Sequence, residues 1–304
     1  MSLPAPAPAA GHATTGPVSD LGRRDWHRSW YRLRRTPSAV IGAVIVVTVV
    51  LTALFAPWIA THPSHVGNVV DFASRHEPPS GEHLLGTDQV GRDVFSRVVF
   101  GYRISLTLVV VVLGISVPFG VVLGLLAGYF GGWVETVIMR LTDVFLAIPA
   151  LVMALALTAA LTPNLTNAMI AISALWWTWH TRLVFGIVRT LKTEEYVEAA
   201  KLLGASPFHI LFRELLPNCV SAITVKVTLD AGFVILIGAG LSFLGLGAQP
   251  PAPDLGTMVS TGSRYLPDMW WQSVFPGLAI LVAILGFNLL GDGLRDLFDV
   301  EVGG

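Results

Sequence analysis

Long stretches of this chain carry almost no charge, and a charge-free apolar run has few ways to fold. Residues 38–61 contain none, and neither do residues 104–134 or 144–181. Residues 219–247 are interrupted only by Lys226 and Asp230, and residues 270–291 are again free of charge. A helix needs about 20 mostly apolar residues to cross a bilayer, and in lipid only helices and closed barrels satisfy their own backbone. Thr162-Pro163-Asn164 divides the third run with a turn signal. The expected fold is therefore an all-α membrane protein with six transmembrane helices, at roughly 39–60, 104–130, 138–160, 168–190, 220–247 and 272–291. Composition agrees. Hydrophobic residues reach 53% and charged residues only 13%, where soluble domains carry about 25% charged. A net charge of −1 removes the basic footprint of a nucleic-acid binder, and a single cysteine removes a disulfide scaffold.

The second run has 31 residues, about 46 Å of helix against a core of about 30 Å. It must tilt, bend or protrude, and Pro118 is the natural bend point. Positive charge sets orientation. Arg23, Arg24, Arg28, Arg32, Arg34 and Arg35 precede the first span. Placing that end inside puts thirteen of the lysines and arginines inside and five outside, with Lys226 left within a span. Both termini are then cytoplasmic. The expected segments are a partly disordered Pro/Ala-rich tail over 1–38, a first span, an external loop over 61–103, a transmembrane core over 104–291 and a tail over 292–304. Arg23-Arg24 followed by so long an apolar run reads as a retained anchor, not a cleaved signal.

The external loop holds His62, His65, His76 and His83. Imidazole is the commonest metal ligand, so a metal site is one reading. Solvated loop histidines is the other, and it is adopted because His62-Pro63-Ser64-His65 has no helix to present both rings on one face. Gly86-Thr87-Asp88-Gln89-Val90-Gly91-Arg92-Asp93 approaches a phosphate-binding loop but lacks its Lys and hydroxyl residue. Nucleotide binding is excluded there. Val94, Phe95, Val98, Val99 and Tyr102 share one helical face, with Arg92, Asp93, Ser96, Arg97 and Arg103 on the other, which predicts an amphipathic interfacial helix. No catalytic constellation is present, and Cys219 beside Pro217 reads as structural.

The internal loop over 191–218 predicts a helix, a glycine and a second helix. Thr193 is the expected N-cap, and Glu194 and Glu195 suit a positive helix end. Tyr196, Val197, Ala200 and Leu203 form the apolar stripe. Gly204 ends the helix, and Ser206-Pro207 opens the next. Within the membrane, Gly120, Gly124 and Gly128 make a small-residue face. It would serve either packing inside the subunit or contact with a second permease. Lys226 and Asp230 lie one turn apart, so pairing would reduce the cost of burying them. Trp176, Trp177 and Trp179 fall deep in the fourth span and would line a cavity or mark shifted boundaries. Trp270 and Trp271 fit an interfacial belt. Arg140 and Asp143, with Asp292 and Arg295, read as cytoplasmic-end anchors.

Glu198-Ala199-Ala200, Gly204 and Leu216-Pro217 together resemble the EAA signature of bacterial ABC importer permeases, with Glu214 as a departure from its consensus. Residues His83–Arg97, Leu241–Pro251 and Phe287–Asp296 are similar to the C-type permease of dipeptide, oligopeptide and nickel importers. The resemblance implies a type I importer transmembrane domain in the bacterial cytoplasmic (inner) membrane, with 191–218 as the coupling loop. It assigns ATPase coupling to Glu198, Ala199, Ala200 and Gly204. Implied partners are a second, B-type permease, two ATP-binding subunits that hold ATP and Mg, and an external solute-binding protein. This chain then carries no cofactor and is not an enzyme. Lys226 and Asp230 become candidates for the translocation path, where the family usually has uncharged residues. The implied function is import of peptides or similar small solutes by alternating access. The alternative is a secondary transporter or channel working without an ATPase.

Overall fold

A computed structural model of the chain describes residues 37–299. The expected tail through residue 36, with its six arginines, and residues 300–304 lie outside the described residues. Helix α1 (Pro37–Leu54) leads through the single turn α2 (Ala56–Ile59) into a long loop that ends at residue 93. Then follow α3 (Val94–Phe130), α4 (Gly132–Leu146), α5 (Ala150–Ala160), α6 (Leu165–Leu191) and α7 (Glu195–Leu202). A continuous helix over residues Pro207–Phe243, α8, precedes α9 (Leu255–Ser263) and α10 (Trp271–Asp299). Among the described residues there is no β-strand, only an isolated bridge between Thr87 and Asp93.

Helix α3 runs unbroken through Pro118 and extends well before the expected span. Its most extensive partner is α6. Gly120, Gly124 and Gly128 all face α6 of the same chain. A Cβ at Gly124 would lie 2.7 Å from the Thr181 carbonyl oxygen, and one at Gly128 would lie 2.7 Å from Val188. Thr181 Oγ1 then donates to the Gly120 carbonyl across the interface at 3.1 Å. Close approach matters here because the backbones themselves form the contact. Helix α10 packs against both α1 and α8. Gly286 and Gly293 meet Ile45 and Ala39 of α1, while Gly291 meets Leu229 of α8.

Three elements differ from the sequence reading. The expected span over 138–160 is two helices, α4 and α5, bent by 85° at residues 147–149. Pro149 explains the break: it cannot donate a helical hydrogen bond, and it disfavours helical geometry at Ile148. Helix α9 was not expected at all. It is capped by Asp254, whose side chain accepts from Thr257 N at 2.9 Å. Finally, α3 does not begin as an amphipathic interfacial helix. Three residues of the expected polar face are inside, with Asp93 and Ser96 fully buried and Arg97 4% exposed, while Arg92 is half-buried and Arg103 exposed. Among the described residues, four helices (α1, α3, α8 and α10) are long and apolar enough to cross a membrane, and a fifth span arises if the bent α4–α5 pair counts as one. Helix α6 is long but carries His180, Arg182 and Arg189.

Candidate functional site

The loop over 191–218 is anchored by a buried side chain and presents apolar side chains outward. Val197 is fully buried and packs with Ile210, Leu211 and Leu215 of α8 and Val184 and Val188 of α6. Helix α7 has Glu194, not Thr193, at its N-cap, without a side-chain cap. Thr193 Oγ1 instead donates back to the Thr190 carbonyl at 2.9 Å. At the other end Ala205 N bonds Ala200 O and Gly204 N bonds Lys201 O, each at 3.0 Å. That pairing is a Schellman stop, which places the residue after the C-cap in the left-handed region. Gly204 occupies it with φ +81°. Leu202 and Leu203 are left 89% and 88% exposed, and Phe208 is 70% exposed. Of the expected apolar stripe, Val197 is buried, while Tyr196 and Leu203 are exposed. Glu198 and Ala199 are exposed, while Ala200 is half-buried. Ser206 caps α8, accepting from His209 N at 3.3 Å. The first turns of α8 widen into a π-helical stretch over Ile210–Leu215. Pro217 follows directly; its ring would crowd the Arg213 carbonyl in a regular helix, and the wide turn relieves this. Lys192 Nζ donates to Gly128 O at 2.9 Å, fastening the loop to the end of α3.

A buried polar cluster joins α6 to α8. Lys226 forms an ion pair with Asp230 one turn away, as their spacing suggests. Asp230 is 1% exposed, and its Oδ2 lies 3.5 Å from His180 Nε2. His180 was not legible as a partner, because nothing in the sequence gives the rotation of α6 against α8. Lys226 Nζ also sits 5.4 Å over the Trp179 ring. Trp176 and Trp177 are buried, whereas Trp179 is 46% exposed. Asp143 of α4 pairs with Arg182 of α6.

The loop between α2 and α3 is knotted onto the start of α3. Asp88 Oδ1 accepts from Val90 N and Arg92 N at 2.9 Å each, and its Oδ2 accepts from Arg92 Nε at 2.8 Å. Arg97 Nη1 donates to the Pro251 carbonyl at 3.3 Å. Trp271 Nε1 donates to Thr87 O at 3.2 Å, so Trp271 anchors the loop from inside and does not sit in an interfacial belt. An open cavity of about 370 Å³ lies among Asp88, Arg92, Arg97, Pro251, Thr261 and Gln272. The histidines are not separately solvated. His83 is 4% exposed and its Nδ1 is 3.0 Å from Asp93 Oδ1. His76 meets Gln272 Nε2 at 2.8 Å. Asp93 caps α3 through Ser96 N at 2.7 Å. Burial pushes its carboxyl pKa up, but hydrogen bonds from Ser96, His83 and Thr61 outweigh that and hold it below the usual carboxylate range. Burial, then neighbouring His62, lowers the pKa of His65.

Residues 120–303 match the family of binding-protein-dependent transport system inner membrane components. The chain belongs to this family. Residues 25–79 match the N-terminal transmembrane domain of oligopeptide transport permease C. A probable D,D-dipeptide transport system permease protein of Escherichia coli (strain K12) is 44% identical over 274 residues, covering 90% of this chain and 91% of the relative. A dipeptide transport system permease protein of Alkalihalophilus pseudofirmus is 40% identical over 277 residues, covering 91% and 90%. A glutathione transport system permease protein of Escherichia coli O157:H7 is 42% identical over 285 residues, covering 94% and 93%. The chain is thus a permease subunit of an ABC importer, multi-pass in the inner membrane, and not itself an enzyme. Membership implies a complex with an ATPase and a binding protein, and it displaces the reading of an autonomous secondary transporter or channel.

Proposed function

We propose that this permease moves peptides or small peptide-like solutes through a path shared with a second, B-type permease. Two ATP-binding subunits, which hold ATP and Mg, drive it, and an external binding protein delivers the solute. The dipeptide and glutathione permeases among its relatives support that solute class. Helix α7 serves as the coupling helix. The observation that carries this role is the pair of exposed leucines, Leu202 and Leu203, at the tip of a helix pinned from beneath by Val197. Apolar side chains held out on a rigid mount suit insertion into a cleft on another subunit. Glu198 and Ala199 meet the ATPase beside them, Ala200 lets the surfaces approach, and Gly204 sets the corner. The chain crosses the membrane six times, with α4 and α5 together forming the third crossing and α6 the fourth. Both termini are cytoplasmic, on the side of α7. Gly120, Gly124 and Gly128 serve packing inside the subunit. Lys226, whose side chain is 28% exposed, is the member of the buried pair that reaches the path, with Asp230 fixing its position.

The mechanism is alternating access. ATP-driven closure of the ATPase subunits moves α7, and α7 moves α8 through the Val197–Leu211–Leu215 contact. Such a switch needs contacts that differ between the two states, and the α7 tip supplies them. Replacing Gly204 with Val tests this. Uptake should fall to background while the chain still inserts and assembles; retained uptake would contradict the coupling role.

A further inference from the structure

We propose that His62, His83 and Asp93 form a site for a borderline divalent transition metal, with zinc as the probe ion. The three residues come from separate stretches: the exit of α2, the external loop and the N-cap of α3. Their donor atoms all lie within 4.8 Å of one another. His83 Nδ1 is 3.0 Å and His62 Nδ1 is 3.9 Å from the same oxygen, Asp93 Oδ1. A tetrahedral ion with bonds of about 2.0–2.1 Å spaces its ligand atoms about 3.3 Å apart. The His83–Asp93 edge already has nearly that length. The His62 side chain, 30% exposed, has room to swing inward.

The donor chemistry selects the ion. Two imidazoles and one carboxylate suit zinc, cobalt, nickel or copper, whereas calcium and magnesium require oxygen ligands. The surroundings hold the ligands in place. Asp93 Oδ2 is occupied by Ser96 N at 2.7 Å and Thr61 Oγ1 at 3.1 Å, which leaves Oδ1 to face the rings. His65 Nδ1 accepts from Asp93 N at 3.1 Å, and its ring lies 5.0 Å from that of His62. It is a neighbour of the site and not a ligand. Three protein ligands with His62 on the solvent side leave a fourth position for water. A bound ion would tie the end of the first span to the start of α3.

The test uses the full-length chain in its transporter complex, purified without a polyhistidine tag. Equilibrium dialysis with zinc, read by metal analysis, should give one saturable equivalent per copy of this chain. Cobalt at the same site should show the visible absorption of a four-coordinate ion. His62→Ala removes a partly exposed ring, so its fold is expected to survive, checked by an unchanged thermal midpoint without metal. It should weaken zinc binding at least about tenfold, the scale seen even for outer partners of a ligand. His62→Cys, which restores a zinc ligand, should recover the binding. Absence of a saturable equivalent in the folded wild type would overturn the proposal. So would unchanged binding in His62→Ala, or displacement of zinc by equimolar calcium.

Discussion

Gly204 and Gly124 need to be glycine for opposite reasons. Gly204 faces open space, so its requirement is the left-handed backbone alone. Gly204→Ala should cost about 1–2 kcal/mol, felt locally as a looser α7, with little change in the global melting midpoint. Gly124 has an ordinary helical backbone but no room, since its Cβ would meet Thr181 and Val184. Gly124→Val should lower the midpoint in detergent by the amount expected for overpacking, about 1–3 kcal/mol; an unchanged midpoint would show that α3 and α6 are free to separate. The buried pair gives a third residue-scale prediction. Removing one member of a buried ion pair costs about 3–5 kcal/mol, and the partial exposure of Lys226 places Lys226→Met below that range. The double variant Lys226→Met, Asp230→Leu should be more stable than Lys226→Met alone, because no unpaired carboxylate remains. If the two losses simply add in the thermal midpoints, the side chains do not interact.

At the scale of elements, α7 is the part with the clearest task. Leu202→Cys should react with a membrane-impermeant maleimide in inside-out vesicles and not in right-side-out ones. Cys219 is fully buried and is the only native cysteine, so background labelling should be low. Labelling from the outer face alone would reverse the proposed orientation. Much of this element was legible in the sequence: Gly204 as a stop, Ser206-Pro207 as a start and Val197 on the inner face all follow from local rules. The outward leucines were not, because which side of a short apolar helix is covered depends on its neighbours. The same limit explains the other differences. Pro149 lies inside a charge-free run whose apolar character masks its break signal. Helix α9 carried its own N-cap signal in Asp254 but was too short to show a clear period. Local spacing does not bring the histidines together; His62, His65 and His83 meet because the loop folds back on α3.

At the scale of the molecule, the helices form two associations, joined through α8 and through direct packing of α1 on α3. Helix α10 clamps α1 to α8, and α3 pairs with α6, with the buried Lys226–Asp230–His180 cluster between α6 and α8. The loop between α2 and α3 locks one end through Trp271 and Asp93, and the α7 loop sits at the end where Lys192 fastens it to α3. Motion of α7 therefore has a packed route into α8, and from there into the rest of the subunit. The proposed role of α7 requires it to be the surface that holds the ATPase. The most direct measurement is a tagged pull-down from native membranes in mild detergent, comparing the wild type with the double variant Leu202→Asp, Leu203→Asp. The wild type should bring down a second permease and ATP-binding subunits, and the variant should keep the permease while losing the ATPase. Equal recovery of the ATPase with both, or recovery of this chain alone in a detergent that preserves a known complex of this type, would contradict the account.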